Sequence, residues 1–188
     1  MYGADFTSNA GNTIYRWSKT TGETFVNGVS QGKPFHNKIF LTIWDGGGSD
    51  TYDFSNYTTS VNVNLNPGSW STPSNSQRAN LGDNHFARGS IANALLFNND
   101  SRSLIEHASG GSGSDLIIGN RANNVLKGNG GILVGPDPPG NPGRRRFLDL
   151  AGRQGQVLIR HAGCHRRRSS RFTALGGKHR TGLVHDGG

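Results

Sequence analysis

The chain has 188 residues, with 20 Lys+Arg against 12 Asp+Glu, a formal net charge of +8. Only 32% of its residues are hydrophobic and 29 are glycine, and no apolar run approaches the ~18 residues of a membrane-spanning helix, so a transmembrane segment and a helix-rich core are both excluded. The single cysteine, Cys164, excludes an intramolecular disulfide and a paired-cysteine zinc site, and Met1-Tyr2-Gly3-Ala4-Asp5-Phe6 has neither the basic nor the apolar stretch of a secretory leader.

Glycine and asparagine in this abundance favour short strands joined by tight turns, so the fold is expected to be mostly β. In chain order, Asn12 to Trp17 and Thr24 to Val26 are short β-favouring runs. Lys38 to Trp44 is the clearest strand; it stops at Asp45-Gly46-Gly47-Gly48-Ser49-Asp50 and resumes at Thr51-Tyr52-Asp53-Phe54. Val61-Asn62-Val63-Asn64-Leu65 alternates strictly, which places three aliphatic side chains on one face and two asparagines on the other. Residues 66 to 85, rich in Pro, Ser, Asn and Gly, read as a long loop, and 91 to 97 is compatible with one helical turn.

The sequence becomes specific at Gly110. Gly110-Gly111-Ser112-Gly113-Ser114-Asp115-Leu116-Ile117-Ile118 fits G-G-x-G-x-D-x-U-x throughout, U being a large aliphatic residue; this nonapeptide builds calcium-binding parallel β-rolls. Gly119 and Gly128 continue the nine-residue period, Asn124 falls where Asp115 was, and Leu126 falls where Ile117 was. Six residues make a turn whose glycines allow carbonyl oxygens to face inward, the Asp adds a carboxylate, and three residues make a strand whose U side chain enters the core. Calcium, a hard cation that takes 6 to 8 oxygens, fits between successive turns, so folding and metal binding are expected to be coupled.

The third repeat breaks. Gly128-Asn129-Gly130-Gly131 runs directly into Ile132-Leu133-Val134-Gly135, two residues short, and the missing pair includes the acidic position. Composition changes at the same place. Residues 1–131 hold 9 Lys+Arg and 9 Asp+Glu, whereas 132–188 hold 11 against 3, with one Asn where the first part has eighteen. Three readings of this basic segment follow: an arginine-rich arm for nucleic acid or an acidic membrane, a solvated disordered tail, or a shifted reading frame of a glycine- and aspartate-rich repeat, which is the reading preferred.

Met1-Tyr2-Gly3-Ala4, Gly11-Asn12-Thr13-Ile14-Tyr15, Trp44-Asp45 to Phe54, and Ile105-Glu106 to Ile118 occur in the order in which they resemble the C-terminal part of the serralysin-type zinc metalloproteases, of the repeats-in-toxin (RTX) class. The resemblance implies an all-β, parallel β-roll domain with sandwich-like packing over residues 1–131, incomplete at its end, with repeats from about 110 and a basic tail, disordered or out of frame, over 132–188. It implies calcium as the cofactor. One site would use Asp45, Gly47, Gly48 and Asp50, completed by Leu104 through its backbone oxygen and Glu106 through its carboxylate, with a contribution from Asn9, Gly11 and Thr13. A second would use Gly111, Gly113 and Asp115 with the interrupted partner turn at Gly128 and Gly130. It further implies a covalently linked N-terminal zinc protease domain as partner, and an extracellular location reached by one-step secretion on a C-terminal signal, which the altered C-terminus puts in doubt.

The chain itself lacks the family's zinc motif. H-E-x-x-H needs a glutamate after a histidine, and the two glutamates, Glu23 and Glu106, follow Gly22 and Ile105, so no peptidase activity is expected of this chain. His161, Cys164 and His165 have metal-like spacing but lie in an arginine-rich stretch where chance proximity is the better reading. His36, His85 and His107 read as surface or hydrogen-bonded residues. Two other function classes stand beside the calcium module. One is a nucleic-acid-binding module working through residues 144 to 180, disfavoured because Phe147 and Phe172 are the only aromatics there for base stacking. The other is a free-standing calcium-dependent extracellular interaction protein.

Overall fold

The computed structural model describes residues 3–129 and, beyond them, the backbone of three short strands at Ile132–Val134, Phe147–Asp149 and Gln156–Ile159. Every regular element longer than a single 3₁₀ turn is a strand: β1 Ile14–Trp17, β2 Thr24–Val26, β3 Val29–Ser30, β4 Leu41–Ile43, β5 Thr51–Asp53, β6 Asn62–Asn64, β7 Trp70–Ser71, β8 Ile91–Asn93, β9 His107–Ser109, β10 Leu116–Ile118, β11 Asn124–Lys127, β12 Ile132–Val134, β13 Phe147–Asp149 and β14 Gln156–Ile159. Among the described residues no helix is long and apolar enough to cross a membrane.

Two parallel ladders define the roll. In the first sheet β1, β5, β9 and β11 lie side by side with Ile14, Thr51, His107 and Val125 in register, and the hairpin β2–β3 extends it antiparallel beyond β1. In the second, β6, β10 and β12 pair in parallel with Asn62, Leu116 and Ile132 in register. The chain crosses from first to second sheet after β5, β9 and β11 and returns between β10 and β11, which is the winding the nonapeptide period demands. A small third sheet, β4-β8-β7, is inserted between the early turns.

The alternation read from sequence sets the core. Tyr15, Tyr52, Ala108 and Leu126 form one inward row of the first sheet, and Val63 and Ile117 face them from the second. Both U positions, Ile117 and Leu126, are completely buried. Burying such a side chain contributes roughly 1.5–3 kcal/mol, and strands of three residues have little else to hold them. Aromatic rings fill the wide end, with Trp17 stacked on Phe54 at 5.1 Å and meeting Tyr52 edge-on at 5.2 Å.

Three local readings change. The loop over 66–85 contains β7, which pairs with β8, and a 3₁₀ turn at Asn75–Gln77. Its Gln77 is buried between the Tyr57 hydroxyl, which donates to Oε1 at 2.9 Å, and the oxygens Ser18 O and Asn37 Oδ1, to which Nε2 donates. Residues 91–93 form strand β8, not a helical turn; two 3₁₀ turns follow it, at Phe97–Asn99 and Ser101–Ser103. Strand β3 was missed although Asn27-Gly28, both at positive φ (49° and 80°), is the two-residue hairpin signal. Beyond residue 129 the described backbone is β12 parallel to β10, β13 antiparallel to β12, and β14 antiparallel to β11. The rest of the chain beyond residue 129 lies outside the described residues, including His161, Cys164 and His165.

Candidate metal centre

The residues before the parallel strands of the first sheet stack as turns at one end of the roll. Register makes Thr13, Asp50, Glu106 and Asn124 equivalent positions in this stack, each but Asn124 immediately preceding its strand. The early members are tied in sequence order: the Thr13 N–H donates to Asp50 Oδ1 at 2.8 Å, and the Asp50 N–H donates to Glu106 Oε2 at 2.8 Å. Each carboxylate therefore caps the amide of the turn before it.

Asp45 opens the same turn. Its Oδ1 accepts the Gly47 N–H at 2.8 Å and its Oδ2 accepts the Tyr15 hydroxyl at 2.7 Å; Asn9 Nδ2 donates in turn to that hydroxyl at 3.1 Å. Thr13 Oγ1 donates to Gly11 O at 2.8 Å within the 9–13 segment, and the Ser49 N–H donates to Asn12 Oδ1 at 3.0 Å, which ties that segment to the turn. The glycines are there for space and backbone. A Cβ on Gly46 would meet Ser8 O at 2.5 Å; Gly48, at φ +140°, lies so close to the 9–13 segment that a Cβ would meet Gly11 O at 2.5 Å. Ser8 O accepts the Gly46 N–H and Trp44 Nε1 donates to Asp5 O, so the N-terminal segment is laid directly over the turn.

The electrostatics are unbalanced. Asp45 and Asp50 are completely buried, and Asp50 Oδ2 has no hydrogen-bond partner. Burial pushes the Asp50 carboxyl up to about 8, with the Asp45 and Glu106 charges adding to it. Burial likewise pushes Glu106 up to about 7 and raises Asp45 despite the hydrogen bonds that Asp45 accepts. No cationic side chain pairs with any of the three among the ion pairs of the described residues, which are Arg16–Asp53 and Arg102–Asp100. Buried carboxylates that lack a countercharge cost several kcal/mol each, at the order of magnitude, unless a cation joins them.

Most residues singled out for this site thus come together: Asn9, Gly11, Thr13, Asp45, Gly47, Gly48, Asp50 and Glu106. Leu104 is buried two residues before Glu106, and Arg102, which lies beside Gly47, places its guanidinium 3.8 Å above the Phe6 ring. Sequence reading missed Tyr15, for which the inward alternation of Tyr15 and Trp17 was the available signal. Among the described residues no group of three or more His, Cys, Asp and Glu side chains is arranged to hold a metal ion by itself. A cation here would draw on a few carboxylate oxygens and complete its shell from backbone carbonyls, a donor set that suits a hard ion and not zinc. The orphaned Asp50 Oδ2 and the Gly46–Gly48 cradle fit that ion.

The other end of the roll carries the repeat turn Gly110 to Asp115. Gly113 is pressed against the preceding turn, where a Cβ would meet Ser60 N at 2.5 Å, and Gly111 is pressed against Tyr57 O. Asp115 Oδ1 accepts the Val61 N–H at 2.9 Å, repeating the capping rule, and its Oδ2 is buried without a partner. Burial raises this carboxyl too. On the far side Asn129 Nδ2 donates to Gly110 O at 2.7 Å, Gly128 is buried, and Gly130 lies outside the described residues. His107 is satisfied on both nitrogens, by the Val125 N–H at Nδ1 and by Ser49 Oγ at Nε2, while His36 and His85 are exposed.

Comparison with known proteins agrees with this architecture. Residues 4–156 match the family described as peptidase M10 serralysin C terminal. Over 127 residues the chain is 37% identical to the metallopeptidase AprA of Pseudomonas marginalis and 37% identical to a serralysin of Photorhabdus laumondii; each match covers 68% of this chain and 22% of the relative. Serralysin B of Dickeya chrysanthemi is 33% identical over 118 residues, 63% of this chain and 20% of its own. The chain spans about a fifth of the length of the curated relatives it matches.

Proposed function

The chain belongs to the serralysin C-terminal family of the M10 peptidases, whose members are zinc metalloendopeptidases, and on that premise we propose that it is a calcium-binding β-roll module of an extracellular metalloendopeptidase. It lacks H-E-x-x-H, so its own contribution is structural: calcium closes the turns, and the closed roll supports a covalently linked catalytic domain. Residues 1–131 make up the module, and 132–188 lie past an interrupted repeat.

The observation that carries this reading is the buried, unpartnered Asp50 Oδ2 beside Asp45 and Glu106. When bound, calcium would neutralise these carboxylates; Asp45, Asp50 and Glu106 with carbonyls of the 9–13, 45–50 and 102–104 segments are the donors at hand. Asp115 with Gly111 and Gly113 offers a second, weaker half-site, because its partner turn carries Asn129 and glycines in place of an acid. Calcium titration of the metal-stripped 188-residue chain, followed by calorimetry and near-ultraviolet circular dichroism, tests the reading. Binding at roughly 10⁻⁴ to 10⁻³ M accompanied by tightening of tertiary structure is the expected result. Neither heat nor a spectral change at millimolar calcium would reject it.

A further inference from the structure

The turn between β10 and β11 occupies the same stack as the Asp45–Asp50 turn, yet it is built from amides. Asn120 and Asn124 are completely buried. Asn120 Nδ2 donates to Leu65 O at 3.0 Å and to Ile105 O at 2.8 Å, and its Oδ1 accepts the Ala122 N–H at 3.0 Å. Asn124 Nδ2 donates to Glu106 O at 2.8 Å and to Asn120 Oδ1 at 3.0 Å, and its Oδ1 accepts the Asn120 N–H at 2.9 Å. From the neighbouring loop Asn66 Nδ2 donates to Gly119 O at 3.1 Å. All four amide hydrogens of the Asn120–Asn124 pair are used, both side-chain oxygens accept, and the pair carries no charge. Three backbone carbonyls from two other segments, at Leu65, Ile105 and Glu106, are taken up by side-chain N–H groups.

We propose that Asn120 and Asn124 form a cation-independent clasp, joining the end of β6, the approach to β9 and the start of β11, so that this turn stays closed without metal. The physical ground is the complete pairing of a neutral, buried network: such a network is worth more than its isolated pairs, whereas a buried network missing a partner opens. The contrast with Asp45–Asp50 rests on the calcium reading; the clasp does not.

Amide hydrogen exchange on the full chain, in EDTA and in millimolar calcium, separates the two. The Asn120, Ala122 and Val125 amides are expected to exchange at rates within about twofold of each other in the two media, while the Thr13 and Gly47 amides lose protection in EDTA. Asn120→Ala removes the donors to Leu65 O and Ile105 O and should accelerate exchange at Ala122 and Val125 by at least about tenfold in both media; loss of protection throughout the roll counts the same way. Asn124→Asp keeps the acceptor for the Asn120 N–H but sets an anion against Glu106 O and Asn120 Oδ1. It should open the turn in EDTA, and calcium should close it again. The proposal is overturned if the wild-type 119–125 amides exchange in EDTA as fast as those of 45–51, or if Asn124→Asp leaves exchange in EDTA unchanged. Calcium-insensitive protection at Thr13 and Gly47 alongside a protected 119–125 turn would reject the calcium reading and leave the clasp standing.

Discussion

Two turns of one stack solve the same problem with different chemistry. Both must hold short parallel strands in register and satisfy backbone groups buried between layers. The Asp45–Asp50 turn does so with carboxylates that accept N–H groups and leave one buried oxygen unpaired, while the 119–124 turn uses amides that both donate and accept. An ionised carboxylate has no hydrogen to give to inward-facing carbonyls, so on the calcium reading a stack of such turns closes on a cation. An asparagine supplies that donor itself. On the calcium reading, the choice between Asp and Asn at this register position would decide which turns answer to metal and which close without it.

The largest effect is expected from erasing that distinction at the acidic turn. Asp50→Asn retains an oxygen for the Thr13 N–H and removes the charge of the unpartnered Oδ2. In EDTA at about pH 8.5, where Asp50 is ionised, the variant should melt higher than wild type, because a buried, uncompensated charge has gone. In calcium it should melt lower, because a ligand has gone, and apparent affinity should fall by about 100-fold or more. Differential scanning calorimetry in both media reads the crossing directly; curves shifted the same way in both would place Asp50 in a purely structural role.

Acidity offers a second way to break the comparison. Burial holds Asp50 up at about 8 and Glu106 at about 7, whereas an unfolded carboxyl titrates near ~4. Between about pH 4 and pH 8 the metal-free fold thus binds more protons than the unfolded chain. The slope of unfolding free energy with pH is then negative: the contribution of these groups is fully present below about pH 4 and is lost as pH rises through 7 to 8. Without metal the melting temperature should fall by roughly 10 °C between pH 5 and pH 8.5; saturating calcium, which favours the ionised carboxylates, should reverse the trend. A metal-free profile that rises over this interval would show that Asp50 and Glu106 are not buried as described. The amide turn contributes nothing to either profile.

Much of this was legible in the sequence, for reasons that differ between residues. Asp115 and the buried Ile117 and Leu126 sit in a local pattern of fixed period, which survives whatever lies above or below it; Asp45 to Asp50 was legible only as a glycine turn between strands, and its ligand role came from the resemblance. Glu106 was placed by resemblance, and the geometry joins it to Asp50 across 56 residues of sequence. Tyr15 was read only as part of a strand, because its role depends on a partner thirty residues away. Trp70–Ser71 escaped because two residues among Pro, Ser and Asn carry too little periodicity; the strand exists because β8 is there to pair with it. Asn124 was seen to stand where an Asp belongs, but that its amide would face the Glu106 carbonyl is decided by the register of β9 and β11, which no local pattern states.

A smaller effect is expected where the acidic turn touches the N-terminal segment. Gly48→Ala puts a methyl 2.5 Å from Gly11 O at a φ of +140°, so either the 9–13 segment moves or the turn rearranges. A loss of about 2–3 kcal/mol in urea unfolding is expected, with weakened calcium response because Asp50 is tied to that segment through Thr13. By contrast Gly3→Ala, with nothing within 4 Å, should leave both unchanged. Equal stability of the two variants would mean that the close approach of turn and segment is not maintained in solution.

The smallest and most discriminating change is Tyr15→Phe. The ring stays in the core, edge-on to Tyr52 at 5.9 Å, and only the hydroxyl that donates to Asp45 Oδ2 is removed. Burial and the nearby Asp45 charge raise the phenol above its ordinary range, so it remains a neutral donor at every pH where the chain is folded. Without metal, Asp45 would lose one of the two hydrogen bonds its carboxylate receives, a cost of about 1–2 kcal/mol. With metal, a bound cation compensates the same oxygen, and the cost should shrink below about 0.5 kcal/mol. Urea unfolding of wild type and variant in EDTA and in calcium measures the difference. An equal penalty in both media would mean that Tyr15 supports the strand and not the carboxylate, and that Asp45 takes no part in what the acidic turn binds.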